Sequence, residues 1–339
     1  MQQAEFIAGL PKSELHLHIE GTLEPEMVFR LAARNRLELP FPTVEALRSA
    51  YAFDDLQSFL DLYYHATQVL VRAQDFHDLA GAYLARARAD NVRHAEIFFD
   101  PQAHLRRGVA LAAVMDGLTA ALDAAARDGG PTSRLIMCFL RDLDEADALA
   151  TLDAIYPWLN RVTGVGLDSA EAGHPPEKFA RVFTRARAMG LRTVAHAGEE
   201  GPAAYVTQAL DVLKAERIDH GVRAIDDAAL VARLARERTP LTVCPLSNIR
   251  LRVYPRLSAH PIKRLMDAGV VVTINSDDPA YFGGYVNENY RAVAEAFSIG
   301  RAELAQLARN SFEASFLSAS EKEARIAEVE AYVSASGAD

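Results

Sequence analysis

The sequence predicts an α/β protein, a closed (β/α)8 TIM barrel, and two observations carry that expectation. Short apolar runs, often β-branched and ending in polar residues, recur eight times along the chain. Between most of them lie segments with helical periodicity. Strand alternating with helix implies a parallel sheet with right-handed crossovers. Eight such units in 339 residues fit a barrel of roughly 250 residues with additions.

The first run is "ELHLHIEG" (14–21). Read as a strand, it projects His16 and His18 from one face and Leu15, Leu17 and Ile19 from the other. The next seven are "RHAEIFFD" (93–100), "SRLIMCFL" (133–140), "GVGLDSAE" (164–171), "RTVAHAGE" (192–199), "RIDHGV" (217–222), "LTVCPLSN" (241–248) and "VVTINSDDP" (271–279). Helical segments include "PEKFARVFTRARAMG" (176–190), with Pro176 and Gly190 where a start and a stop belong, and "AALVARLARERT" (228–239).

The stretch between the first two runs is far longer than a single crossover. It holds "PEMVFRLAARN", "TVEALRSAYAF" and "DDLQSFLDLYYHATQVLV", all of helical period. These form a helical insertion over about residues 24–90, part of it above the C-terminal mouth of the barrel. In it Leu56, Phe59 and Tyr63 make an apolar stripe, for which core packing is the default reading. After residue 301 the chain reads as extra C-terminal helices, solvated from Lys322 onward. No repeat beyond the βα rhythm and no low-complexity linker interrupts it, so residues 1–339 read as one domain.

Composition narrows the function classes. Half the residues are hydrophobic and 24% charged, as in a packed soluble protein. A net charge of −10 argues against a nucleic-acid surface. The two cysteines, Cys138 and Cys244, exclude a disulfide framework or a cysteine-rich zinc site and fit a reducing cytoplasm. There is neither a signal-peptide pattern nor an apolar run long enough to cross a membrane. Nothing in the pattern specifies an oligomer.

In such barrels the chemistry sits at the C-terminal strand ends. The ends carry His16 and His18, Asp100, no obvious group on the third strand, Asp168 and Glu171, His196 and Glu199, Asp219 and His220, Ser247 and Asn248, and Asp277 and Asp278. Imidazole nitrogen and carboxylate oxygen suit a divalent metal of borderline softness. In a closed barrel the first and eighth strands are neighbours and the fifth lies opposite, so His16, His18, His196 and Asp277 can converge. The alternative for any one histidine is a hydrogen-bonded structural role; the joint pattern disfavours it for the set.

The segments "LPKSELHLHIEGTLEPE", "TVAHAGEEG", "RIDHGVR", "TVCPLSN" and "INSDDPAYFGG" give a closer fit. In this order they resemble the adenosine/adenine deaminases of the amidohydrolase superfamily, from about residue 10 to 318. The resemblance implies one catalytic zinc per chain held by His16, His18, His196 and Asp277. "GVGLDSAEAG" lacks the lysine that bridges two metals in many superfamily relatives, so a mononuclear site is expected. Zinc lowers the pKa of bound water to about 7. By resemblance His220 helps activate that water, Glu199 protonates the purine N1, and Asp278 lies along N7. For that role Glu199 needs a pKa raised by burial. By resemblance Leu56 and Phe59 belong to a gate touching substrate. Asp168 and Ser247 either orient ligands or touch substrate.

Two departures bear on the substrate. Nucleoside deaminases of this family end the first motif in Asp and carry a Gly on the fourth strand segment; this chain has Glu20 and Glu171. That looks closer to the microbial and fungal adenine deaminase branch. A carboxylate at Glu171 would accept a proton from a free base, and facing a ribose it would lose about 1–3 kcal/mol. Alternatively Glu171 pairs with His174 or Lys178. The expected reaction is adenine to hypoxanthine and ammonia, in purine salvage. Adenosine, or another 6-amino or N6-substituted purine, is the alternative substrate; a catalytically inactive purine-binding protein is the non-enzymatic one. Nucleic-acid base deaminases use an H-x-E and C-x-x-C zinc pattern, and neither the cysteine pair nor a basic face exists here.

Overall fold

The computed structural model describes residues 2–337. Eight parallel strands run in sequence order around one sheet: β1 (Lys12–Glu14), β2 (Val92–Phe99), β3 (Thr132–Leu140), β4 (Val162–Asp168), β5 (Arg192–Ala197), β6 (Arg217–His220), β7 (Leu241–Val243) and β8 (Val272–Ile274). The expected (β/α)8 barrel is thus the observed fold, with helices between the strands.

The first strand differs from its sequence reading. Only Lys12–Glu14 is regular; Glu20–Thr22 already forms a 3-10 turn. Between them the chain stays extended but bridges singly, Leu17 to Asp277 and His18 to Phe98. The first of these joins the two edges of the sheet, and the second continues the pairing with β2. The His18 N–H donates to Asp277 O (3.0 Å), the Asp277 N–H to His16 O (3.1 Å), and the Ile19 N–H to Phe98 O (2.9 Å). The alternation survives this change: Leu17 and Ile19 pack into the hydrophobic core, while His16 and His18 join the histidine–aspartate cluster.

Helix starts and stops follow local chemistry. Asp227 accepts from the N–H groups of Ala229 (2.9 Å) and Leu230 (3.2 Å) and so starts the helix Ala228–Glu237. The 176–190 segment begins as a 3-10 turn, Pro176–Phe179, and continues as the helix Ala180–Ala188. Gly190 then turns the chain with φ +84°. In the insertion, Asp55 accepts the Ser58 N–H (2.8 Å) and opens the helix Leu56–Ala66. Leu56, Phe59 and Tyr63 share its buried face.

The C-terminal helices reinforce the N-terminal end of the barrel. From the helix Arg301–Glu313, Asn310 donates to Val272 O (2.9 Å) and the Ser311 hydroxyl accepts the Ser13 N–H (2.9 Å). The last helix, Ala319–Ala335, buries only Val329 fully. Inside this end lies a buried ion pair: Arg217 donates to Glu96 at 2.6 Å, and to Ala314 O and Leu15 O at 3.2 Å each. Burial alone would raise the Glu96 carboxyl, but Arg217 and His94 outweigh it and hold it at about 2.

A folded pKa below the unfolded one stabilises at pH above the unfolded value and is lost as pH falls toward the folded one. The Glu96 contribution is therefore complete above about pH 4.5 and disappears toward pH 2. Arg217→Met leaves the buried carboxylate without its cation and should cost about 3–5 kcal/mol at neutral pH. Urea unfolding across pH checks this: the gap to wild type should narrow on acidification, and a pH-independent gap would contradict the pairing.

Candidate active site

Each group arrives at the C-terminal mouth on a short backbone segment just inside or beyond its strand. His196 stands inside β5, while His220 is the last residue of β6 and Asp277 follows β8. His220 (φ +60°) and Asp277 (φ +64°) adopt the left-handed region that non-glycine residues seldom use, as does Ser169 (φ +72°) beyond β4. The turn re-aims each side chain away from the direction that a continuing strand would give it.

His16, His18, His196 and Asp277 come together as the sequence expected, with one ligand-type atom from each within 4.8 Å of the others. His16 Nε2 lies 3.1 Å from Asp277 Oδ1, His18 Nε2 lies 3.2 Å from His196 Nε2, and His18 Nε2 lies 3.5 Å from Asp277 Oδ1. A tetrahedral ion with bonds of 2.0–2.2 Å sets its ligands about 3.3–3.6 Å apart. These separations therefore suit a single ion with three nitrogen ligands and one oxygen.

The rear nitrogens are held as well. His16 Nδ1 is 3.0 Å from the Thr242 hydroxyl, which donates to Asp219 (2.8 Å), and His196 Nδ1 is 3.0 Å from Leu167 O. His18 Nδ1 faces Asp168 Oδ2 at 3.5 Å, so Asp168 can orient that ring. Burial lowers His18 to about 4 and His220 to about 3, and holds His196 well below its usual value. Their imidazoles are thus neutral and available as ligands or bases. Asp277 stays ionised: burial would raise it, but His16, His220 and His18 outweigh that effect.

A cavity opens onto this cluster. Its barrel side presents Asp277, Asp278, His220, Glu199, Asp168 and Asp100; its other side is the insertion helix, with Leu56, Phe59, Leu60, Tyr63 and Tyr64. Leu56 and Phe59 therefore line the cavity as well as packing in the core. Glu199 Oε2 lies 3.5 Å from His220 Nε2. Burial, reinforced by the charges of Asp277, Glu171 and Glu200, pushes its carboxyl well above the usual range. Asp278 is raised by burial and by Asp277. Gly21 closes the space behind Asp278, since a Cβ there would stand 1.9 Å from its Oδ1 and 2.7 Å from its Cα.

Two expected contacts are corrected. Glu171 does not line the cavity. Its Oε1 accepts the Gly198 N–H (2.7 Å), and its Oε2 accepts those of Glu199 (3.0 Å), Glu200 (2.9 Å) and Gly201 (2.8 Å). With four donors its acceptor sites are filled, so it clamps the loop that carries Glu199 and pairs with neither His174 nor Lys178. Ser247 has a buried hydroxyl with no hydrogen-bond partner. Its neighbour Asn248 makes the contacts instead, with Nδ2 3.2 Å from His220 Nδ1 and 3.5 Å from Glu199, and with Oδ1 3.0 Å from His260 Nε2.

Glu20, the other departure, is also committed elsewhere. It accepts from the Asp100 N–H (3.3 Å) and lies 2.7 Å from His104 Nε2. One supporting residue escaped sequence reading. Arg141, fully buried just past β3, donates to His196 O (2.7 Å) and His174 O (2.9 Å). The only signal for it was a charged residue directly after an apolar strand.

Glu171→Ala should release the 198–201 loop. Turnover is expected to fall by roughly 10²-fold, the scale of a misplaced acid, with bound metal retained. Steady-state kinetics and metal analysis check this, and unchanged turnover would remove the clamp from the account.

A profile of the adenosine deaminase family matches residues 11–332. The adenine deaminase of Cupriavidus necator is 64% identical over 327 residues, covering 96% of this chain and 93% of that protein. The adenine deaminase of Streptomyces coelicolor is 62% identical and covers 97% of each. Among solved structures, the adenine deaminase from Arthrobacter aurescens superposes with a TM-score of 0.95 at 52% identity, over 96% of this chain and 99% of that one. An amidohydrolase from Burkholderia ambifaria with bound zinc gives 0.90 at 30% identity, over 100% and 96%. The chain belongs to the adenosine deaminase family.

Proposed function

We propose that this protein is an adenine deaminase, converting adenine and water to hypoxanthine and ammonia in purine salvage, with one zinc ion per chain. The observation that carries the reading is the joint geometry of His16, His18, His196 and Asp277 beneath a cavity holding a raised Glu199 and a neutral His220. Its adenine specificity rests on the adenine deaminases that match it nearly end to end. Residues 1–339 act as one catalytic domain with the 24–90 insertion as its lid.

A zinc ion bound by these four residues supplies an acidified water and electrostatic stabilisation. The protein groups do the rest. His220, held by Asn248, takes a proton from the attacking water as oxygen bonds to C6. Glu199, protonated because it is buried among other carboxylates, donates to N1 and removes negative charge from the ring. The C6–N6 bond then breaks: the amino group takes the proton held by His220 and leaves as ammonia, while the proton of the new C6 hydroxyl returns to Glu199 as the carbonyl forms. Asp278, also raised, sits beside the purine N7 and donates to it. Leu56 and Phe59 cover the ring and exclude water.

The direct test is loss of absorbance near the purine maximum with adenine and adenosine compared at equal enzyme. Adenine should be preferred by about 10² or more in kcat/KM; equal efficiency or an adenosine preference would overturn the substrate assignment. Glu199→Gln should retain metal and lose roughly 10²-fold or more in turnover, whereas His16→Ala should lose metal and activity together. A fully metallated His16→Ala protein would break the ligand set.

A further inference from the structure

Glu171 is engaged by its loop and neither it nor Glu20 lines the cavity, so selection between a free base and a nucleoside has to come from a residue that does. Asp100 follows β2 and occupies the capping position of the short helix Pro101–Leu105, yet its side chain makes no cap bond. It lines the cavity and is 2% exposed. Its Oδ1 has no hydrogen-bond partner. One oxygen of Asp100, one of Asp168 and a ring nitrogen of His18 lie within 4.8 Å of one another. Asp168 has a use already, beside His18 Nδ1. Asp100 lies against Asp168, and burial with that neighbour pushes its carboxyl well above the usual range while its Oδ1 stays open to accept. The Tyr63 hydroxyl, 3% exposed on the facing side of the same cavity, is likewise unpartnered, a second polar group open to a ligand there.

A buried acceptor left without a donor is costly, and a bound ligand that brings the donor recovers that cost. Adenine carries acceptors at N1, N3 and N7 and, apart from its amino group, one donor: the ring N–H of the imidazole portion. With Glu199 at N1 and Asp278 at N7, that N–H is the donor still without a partner. In a nucleoside the same nitrogen carries the sugar and donates nothing.

We propose that Asp100 accepts the ring N–H of an unsubstituted purine and is the residue that selects the free base over N9-substituted purines. The inference rests on the adenine deaminase reading and sharpens it. Asp100 acts by orientation and binding, and the proton it receives in the hydrogen bond stays on the ring.

Competitive inhibition by purine and by 9-methylpurine, with adenine as the reporting substrate, separates the possibilities. Wild type should bind purine at least tenfold more tightly than 9-methylpurine. In Asp100→Ala the purine constant should weaken at least tenfold and converge on that of 9-methylpurine, whose own constant changes less than threefold. Asp100→Asn, nearly isosteric and keeping one carbonyl oxygen as acceptor, should lie between the two and serves as the reading if the alanine variant does not fold. An unchanged ratio in a folded, metallated variant overturns the inference while leaving adenine deamination intact. Failure of wild type to deaminate adenine overturns the underlying reading instead. Loss of a second metal equivalent from either variant would assign the cluster to a cation and also overturn the inference.

Discussion

The structure turns on Asp277. Its N–H and its carbonyl hold the His16–His18 segment against the end of β8, where the edges of the sheet meet. Its carboxylate faces His16, His18 and His220. The seam that closes the barrel and the cluster that would hold the ion are therefore the same residues. A left-handed non-glycine conformation costs about 1–3 kcal/mol, sustained only where the surroundings over-determine it. At Asp277 the two backbone bonds and the histidine contacts do so, and a shift of this residue would open the seam and scatter the ligands together.

A second economy lies in burial. One apolar, enclosed setting disfavours every charge, but its effect depends on the group. It makes His18, His196 and His220 neutral, the state in which imidazole serves as ligand or base. It raises Glu199 and Asp278, turning acceptor-only carboxylates into donors. Asp277, surrounded by imidazoles, keeps its negative charge. Acid, base and anionic ligand thus arise from a single solvent effect modulated by neighbours.

The strand rhythm made the barrel and the ligand set legible, because a residue at a strand end can point only toward the mouth. Other roles depended on features that spacing does not encode. Glu171 looked like a substrate contact, but its partners are four N–H groups of a loop 27 to 30 residues downstream, turned toward it by Gly198 at φ +71°. Ser247 and Asn248 are adjacent beyond β7, and the sequence singles out Ser247 of the two. The helix Pro245–Arg250 starts at that point, so its rotation per residue sends Asn248 toward His220 and leaves Ser247 facing nothing polar. The first strand was overextended for a related reason: its alternation continues beyond Glu14, but its ladder does not.

The two sides of the cavity match the anisotropy of a flat heteroaromatic ring. Such a ring is apolar on its faces and polar only along its edges. Leu56, Phe59 and Leu60 on the insertion helix offer dispersion and exclude water without choosing among purines. Choice falls to the edges, where each donor or acceptor must meet its complement or remain buried and unpaired. Removing one methylene from the lid changes affinity modestly, whereas leaving one edge group unmatched penalises the wrong ligand more sharply. The rigid barrel carries the edge-reading groups and the inserted helix carries the apolar cover. On the proposed reading the edge-reading groups ride on strand ends fixed by the seam at Asp277, so the apolar cover adds contact without altering what the edges select.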